Sequence, residues 1–174
     1  MKPAIMLSSF SIPMESSWNM SSHPTNEIRL ASPSDQVRLV PLIEEYYRFD
    51  SLKFDGETIG RSLQRLLRSR TLGRVWVIET VAQGDLVGYA ILTYNYDLEF
   101  GGIQGIITDF FITEPCTRHG LGRRMMAAIA GFCRKSGITT IELQVTRRNR
   151  RARQFYKSLG FETLDRLVTD LELE

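Results

Sequence analysis

The chain has little of what builds metal centres or covalent frameworks: of 174 residues, two are cysteine and two are histidine. Cys116 and Cys133 form no Cys-x-x-Cys pair, and His23 and His119 stand far apart, so neither a metal site nor a disulfide scaffold is expected. Both thiols are expected to be reduced, in a cytoplasmic protein. No apolar run approaches the roughly 20 residues that cross a bilayer, which argues against a membrane partner. A serine hydrolase would need a Gly-x-Ser-x-Gly elbow and a nucleotide-triphosphate loop would need Gly-Lys-Ser/Thr, and neither is present. With a formal charge of only +2, no global field compels binding to nucleic acid.

What is present suits one globular body. Hydrophobic residues make up 43% of the chain, enough at this length for a sizeable core. Residues 26–174 are expected to form a single domain. Residues 1–25 scatter Ser, Met and Pro without a continuous apolar stretch, and are expected to be a flexible extension rather than a signal peptide.

The pattern predicts strands and helices in alternating blocks. A first strand is expected at 27–31, then a helix opened by Ser32-Pro33-Ser34-Asp35 with Val37, Val40, Ile43, Tyr46 and Tyr47 on one face. Pro41 inside that pattern predicts a kink or break. A second helix would carry Ile59, Leu63, Leu66 and Leu67. Strands are predicted at 74–81 and 86–94, joined by Gln83-Gly84-Asp85, with others at 106–112 and 139–145 and a closing one at 167–173.

Two segments carry chemical information. Cys116-Thr117-Arg118-His119-Gly120-Leu121-Gly122-Arg123-Arg124 follows a strand and opens a helix whose face is Leu121, Met125, Ile129 and Phe132. Unpaired N–H groups and the dipole at such a mouth favour an anion, and glycines let the backbone come close to it. Glycines also mark ordinary turns, so the pattern alone decides little. The second segment has Asn149 as an N-cap, Ala152, Phe155, Tyr156 and Leu159 on one face, and Gly160 at the C-terminal end. By spacing alone, Tyr156 reads as a core tyrosine beside Phe155 and Leu159 more readily than as a functional one.

Together these segments resemble the GNAT superfamily of acetyl-CoA-dependent N-acetyltransferases. That family's Gln/Arg-x-x-Gly-x-Gly/Ala loop is represented by Thr117 through Gly122, with Thr117 departing from the first position. Its Asn-x-x-Ala-x-x-x-Tyr-x-x-x-Gly-Phe signature is matched by Asn149, Ala152, Tyr156, Gly160 and Phe161. Within the family, Thr108-Asp109-Phe110-Phe111-Ile112 looks most like small-amine and diamine acetyltransferases. The resemblance implies an α/β (α+β) fold: a mixed, mostly antiparallel sheet of about six to seven strands flanked by about four helices, in the order β-α-α-β-β-β-α-β-α-β-β.

It also implies roles. Acetyl-CoA would be the co-substrate, its diphosphate on Arg118, His119, Gly120, Leu121, Gly122 and Arg123. Its pantetheine arm would lie along Phe110, Phe111 and Ile112, with Asn149 and Ala152 also on the coenzyme. Tyr156 would be the general acid and Asp109, or a water it holds, the base, with Glu99 in reserve. Tyr47, Asp50 and Glu99 would meet a small cationic amine, and a homodimer is the default assembly. A non-catalytic acyl-CoA-binding or regulatory module on the same fold is the alternative, suggested by Thr108 and Thr117. RNA binding through the arginines of 147–153 is disfavoured because no aromatics are interleaved with them.

Overall fold

The computed structural model of the chain describes residues 26–171, so the expected extension at 1–25 lies outside the described residues. The elements run β1 (Asn26–Leu30), α1 (Gln36–Phe49), α2 (Gly56–Arg68), β2 (Gly73–Thr80), β3 (Leu86–Asp97), β4 (Gly102–Ile112), α3 (Leu121–Lys135), β5 (Ile141–Leu143) and α4 (Arg150–Ser158). The strands form one sheet in chain order, antiparallel from β1 to β4, with β5 added parallel to β4.

Both faces of the sheet are covered. In β2, Trp76 and Ile78 join a core with Met125, Ile129 and Cys133 of α3, while Val75 and Val77 join another with Leu39 and Ile43 of α1 and Leu63 of α2. This explains why β2 reads as a nearly unbroken apolar run rather than an alternating one.

Helix α1 differs from its sequence expectation in two ways. Its buried stripe is Leu39, Leu42 and Ile43, whereas Val37 is 82% exposed. The helix also runs through Pro41 without a break. Pro41 lies on the exposed side, where water can satisfy the carbonyl one turn back that loses its N–H partner. The start of α1 is fixed by charge. Asp35 is 1% exposed and accepts hydrogen bonds from Arg29 Nη1 at 2.8 Å and Ser32 N at 2.7 Å, with Arg38 bound to it as well. The Arg29 guanidinium holds its carboxyl well below the usual carboxylate range.

The sheet has five strands among the described residues, not six to seven, and the expected order stops after α4. The strand predicted at 167–173 does not form through residue 171, the last one described, and Leu167 and Leu171 are 87% and 83% exposed. The strand predicted at 139–145 shrinks to Ile141–Leu143. Alternation supplies a sheet-compatible surface, but a strand also needs a ladder partner, and β5 is paired along one edge alone.

Candidate active site

Where β4 passes β3, the pairing slips: Ile91 faces Asp109 and Leu92 faces Ile107, leaving Thr108 as the extra residue of a bulge. The bulge reverses the alternation. Ile107 and Phe110 belong to the α3 side, while Phe111 packs on the α1 side. Thr108 and Asp109, neighbours that a regular strand would send to opposite faces, both line one cleft.

The cleft exists because β5 is short. Its ladder with β4 ends at Ile107 opposite Leu143, whereas β4 keeps its β3 partner as far as Ile112. Residues 108–112 therefore present one backbone edge with no strand beside it among the described residues. Gln144, Val145 and Thr146 form the facing wall, and the opening holds about 410 Å³. Helix α4 contributes Asn149, Ala152 and Tyr156 from one side of the sheet; α1 contributes Tyr46 and Phe49, with Asp50 just beyond its end, from the other.

The carboxyl of Asp109 is held by two hydroxyls. Tyr89 donates to Oδ1 at 3.3 Å and Thr108 to Oδ2 at 3.1 Å. Burial pushes its pKa up, and the two hydrogen bonds pull part of the way back. Tyr89 is wholly buried, and its phenol is raised by burial and by the neighbouring Asp109. Tyr46 is shifted in the same direction for the same two reasons.

Tyr156 is packed by rings, at centroid distances of 6.3 Å from Phe110, 5.3 Å from Phe155 and 5.6 Å from Phe161. Burial pushes its phenol up to about 12, so it is protonated at neutral pH. Its helix begins as the sequence predicts: Asn149 Oδ1 accepts from Ala152 N at 3.0 Å. Gly160, just past α4, has φ +91°, the left-handed position that suits glycine.

The two glycines of the turn before α3 serve different purposes. Gly120 takes φ +76° as the N-cap, a residue with no side chain to cap the first N–H groups of α3. Gly122 permits contact instead. A Cβ there would meet the Phe155 ring at 3.2 Å and Ile112 Cδ1 at 3.6 Å, so the mouth of α3 lies against both α4 and the far end of the free β4 edge.

Residues 38–161 match the acetyltransferase (GNAT) family. The chain belongs to that family. Among its GNAT relatives is YycN of Bacillus subtilis (strain 168), an uncharacterised N-acetyltransferase, 31% identical over 81 residues that cover 47% of this chain and 51% of YycN. The chain thus spans about half the length of that curated relative. An integron cassette protein from the Cole Harbour Salt Marsh metagenome superposes with a TM-score of 0.74 at 26% identity, over 84% of this chain and 90% of its own. The aminoglycoside N-acetyltransferase AAC(6')-Iy, solved in complex with CoA, has the same fold: its TM-score is 0.75 at 13% identity, covering 88% of this chain and 99% of that one.

Within this GNAT fold, the residues singled out from sequence separate into groups. Asp109, Phe110, Phe111, Asn149, Ala152, Tyr156 and Asp50 line the cleft. Arg118, His119 and Arg123 are exposed around the α3 mouth, and Leu121 is buried beneath it. Tyr47 and Glu99 do not line the cleft. Tyr47 packs edge-on against Phe54, 6.0 Å away, because one helical step carries it past the wall that Tyr46 faces. Glu99 sits in the β3–β4 turn, where Arg166 binds it at 3.1 Å. Sequence reasoning missed Tyr89 and the 144–146 wall; the one available signal for Tyr89 was a phenol inside the otherwise apolar stretch Leu86–Leu92. Among the described residues, no cluster of potential ligands could hold a metal, and no helix is long and apolar enough to cross a membrane.

Proposed function

We propose that the chain is an acetyl-CoA-dependent N-acetyltransferase, moving an acetyl group to a primary amine by direct attack with both substrates in the cleft. The observation that carries this reading is the free edge of β4 at 108–112. It begins at the bulge beside Asp109 and ends at Ile112, against the mouth of α3.

An extended pantetheine arm can hydrogen-bond that edge as a strand would, with Phe110, Phe111 and Ile112 alongside. The first-turn N–H groups of α3 after Gly120, with Leu121, Gly122, Arg118, His119 and Arg123 around them, suit the diphosphate. Asn149 and Ala152 line the α4 side. The exposed arginines of 147–153 supply positive charge nearby. Family membership and a CoA-bound relative of the same fold support this assignment.

An alkylammonium of pKa about 10.4 must lose a proton before it can attack. Asp109, directly or through a water, takes it, and burial makes the carboxylate a stronger base than one in open water. The amine nitrogen bonds to the acetyl carbon, and backbone N–H groups of the free edge stabilise the oxyanion. The C–S bond then breaks as Tyr156 gives its proton to the departing sulfur and the now cationic nitrogen releases its second proton to water, leaving the neutral amide. The phenol regains a proton from solvent and Asp109 loses its own. The Thr-Asp-Phe-Phe-Ile strand supports a small-amine acceptor. The exposed leucines of 162–171 support a homodimer, and we retain a cytoplasmic setting.

Thiol release and mass spectrometry of products, with acetyl-CoA and a mixed amine library, test the reading. Acetylated amine is the expected result. Tight acetyl-CoA binding without any acetylated product would replace it with the non-catalytic acyl-CoA-binding module.

A further inference from the structure

Of the acids Asp50, Asp55, Asp97, Glu99 and Asp109, only Asp50 and Asp109 line the cleft. Asp55 caps α2, accepting from Glu57 N at 3.1 Å and from Thr58 Oγ1 at 2.8 Å. Asp97 accepts from Glu99 N at 2.8 Å, and Glu99 is bound by Arg166. Asp109 is engaged by two hydroxyls and, on the reading above, receives a proton. That leaves Asp50. It is the C-cap of α1, so its carboxylate adds to the negative end of a 14-residue helix, and the two together make one focus of negative potential.

The surroundings of that focus are aromatic. Phe111 forms the floor, with Tyr46 at 5.7 Å and Phe49 at 6.5 Å between ring centroids. Phe49 is 72% exposed although it sits on a cleft wall, and Leu52, in the loop that follows, is 46% exposed. An apolar ring left in water at the mouth of a site gains most from covering an apolar guest, and the faces of such rings attract a single cation.

We infer that the acceptor carries one positive charge on an apolar or aromatic body, its ammonium toward Asp50 and Asp109 and its body against Tyr46, Phe49 and Phe111. A polyamine or an aminoglycoside would bring several ammonium groups into a cleft that has one uncommitted carboxylate among the described residues, leaving the others unpaired beside rings. The inference rests on the acyl-transfer reading and narrows its substrate class. A free arylalkylamine and a peptide amino terminus beginning with an aromatic residue offer the same chemistry.

The test is calorimetric binding to the full chain saturated with CoA, which needs no turnover. Acceptors are 2-phenylethylamine, a Phe-Gly-Gly amide, spermidine and kanamycin. One of the two aromatic monocations should bind at least about tenfold more tightly than spermidine and kanamycin, as covering one aromatic side chain implies; whichever binds tighter identifies the source. Phe49→Ala, on an exposed ring, should weaken the aromatic ligand several-fold and leave spermidine unchanged. Equal affinities, tighter binding of a polycation, or no effect of Phe49→Ala overturns the inference. Thiol release measured in parallel keeps the two readings apart: aromatic preference without acetylation refutes only the enzyme, and acetylation with polycation preference refutes only the acceptor class.

Discussion

Tyr89 donates its hydroxyl to Oδ1 of Asp109 across the β3–β4 ladder, at 3.3 Å, directly beside the Thr108 bulge. A wholly buried phenol thus orients the carboxyl that the proposed mechanism uses as a base. The hydrogen bond also lowers the Asp109 pKa against the burial that raises it. In Tyr89→Phe the carboxyl should titrate higher, so the acidic limb of the kcat/KM profile should move to higher pH for the same amine. The loss of stability should be about 1 kcal/mol. An unmoved limb would make Tyr89 a packing residue only.

For Asp109→Asn, activity and stability should part. Turnover should fall by about 10²- to 10⁴-fold, the usual contribution of a general base. The sign of the stability change follows from linkage. The folded pKa of Asp109 lies above its unfolded value of 3.8, so its favourable contribution is present in acid and is lost as pH rises through the folded pKa. Asp109→Asn should therefore melt at or above the wild-type temperature at pH 7.5, with the gap closing towards pH 4. Calorimetric scans at several pH values read this directly.

Tyr156→Phe keeps the ring contacts with Phe110, Phe155 and Phe161 and removes only the proton donor. We expect kcat to fall by about 10²-fold or more. Acetyl-CoA affinity, measured by calorimetry, should hardly change. Unchanged turnover would remove Tyr156 from the chemistry.

Two glycines of the same helix should respond in opposite directions to alanine. Gly120 has open space around a would-be Cβ but sits at φ +76°, so Gly120→Ala should cost roughly 1–2 kcal/mol through the left-handed backbone alone. Gly131, inside α3 and equally unobstructed, should gain about 0.5–1 kcal/mol on the same change. Urea unfolding of the pair measures both.

Much of this was legible because punctuation is local. Asn149 before α4, Gly160 after it and Gly120 before α3 each mark a backbone requirement that the sequence states within a few residues. The bulge at Thr108 was not legible, because it depends on register against β3, a contact distant in sequence. Tyr47 and Glu99 fall outside the cleft lining for related reasons. A helical face is set by what packs on it, and a charged side chain by whichever partner reaches it first, here Arg166. The final strand was over-read because alternating residues describe a surface, whereas a strand is a pairing.

With only three residues in β5, the chain beyond Leu143 is joined to the rest of the molecule by interlocked rings, by the seat of Phe155 on Gly122 and by the hydrogen bonds of Arg123 to Ser158 and Arg166 to Glu99. A guest lying in the gap would act as a missing sixth plank, bonded to one side and wedged on the other. Loading the site and firming up that part of the molecule are then a single event, and amide exchange at Phe155 to Ser158 should slow when the gap is filled.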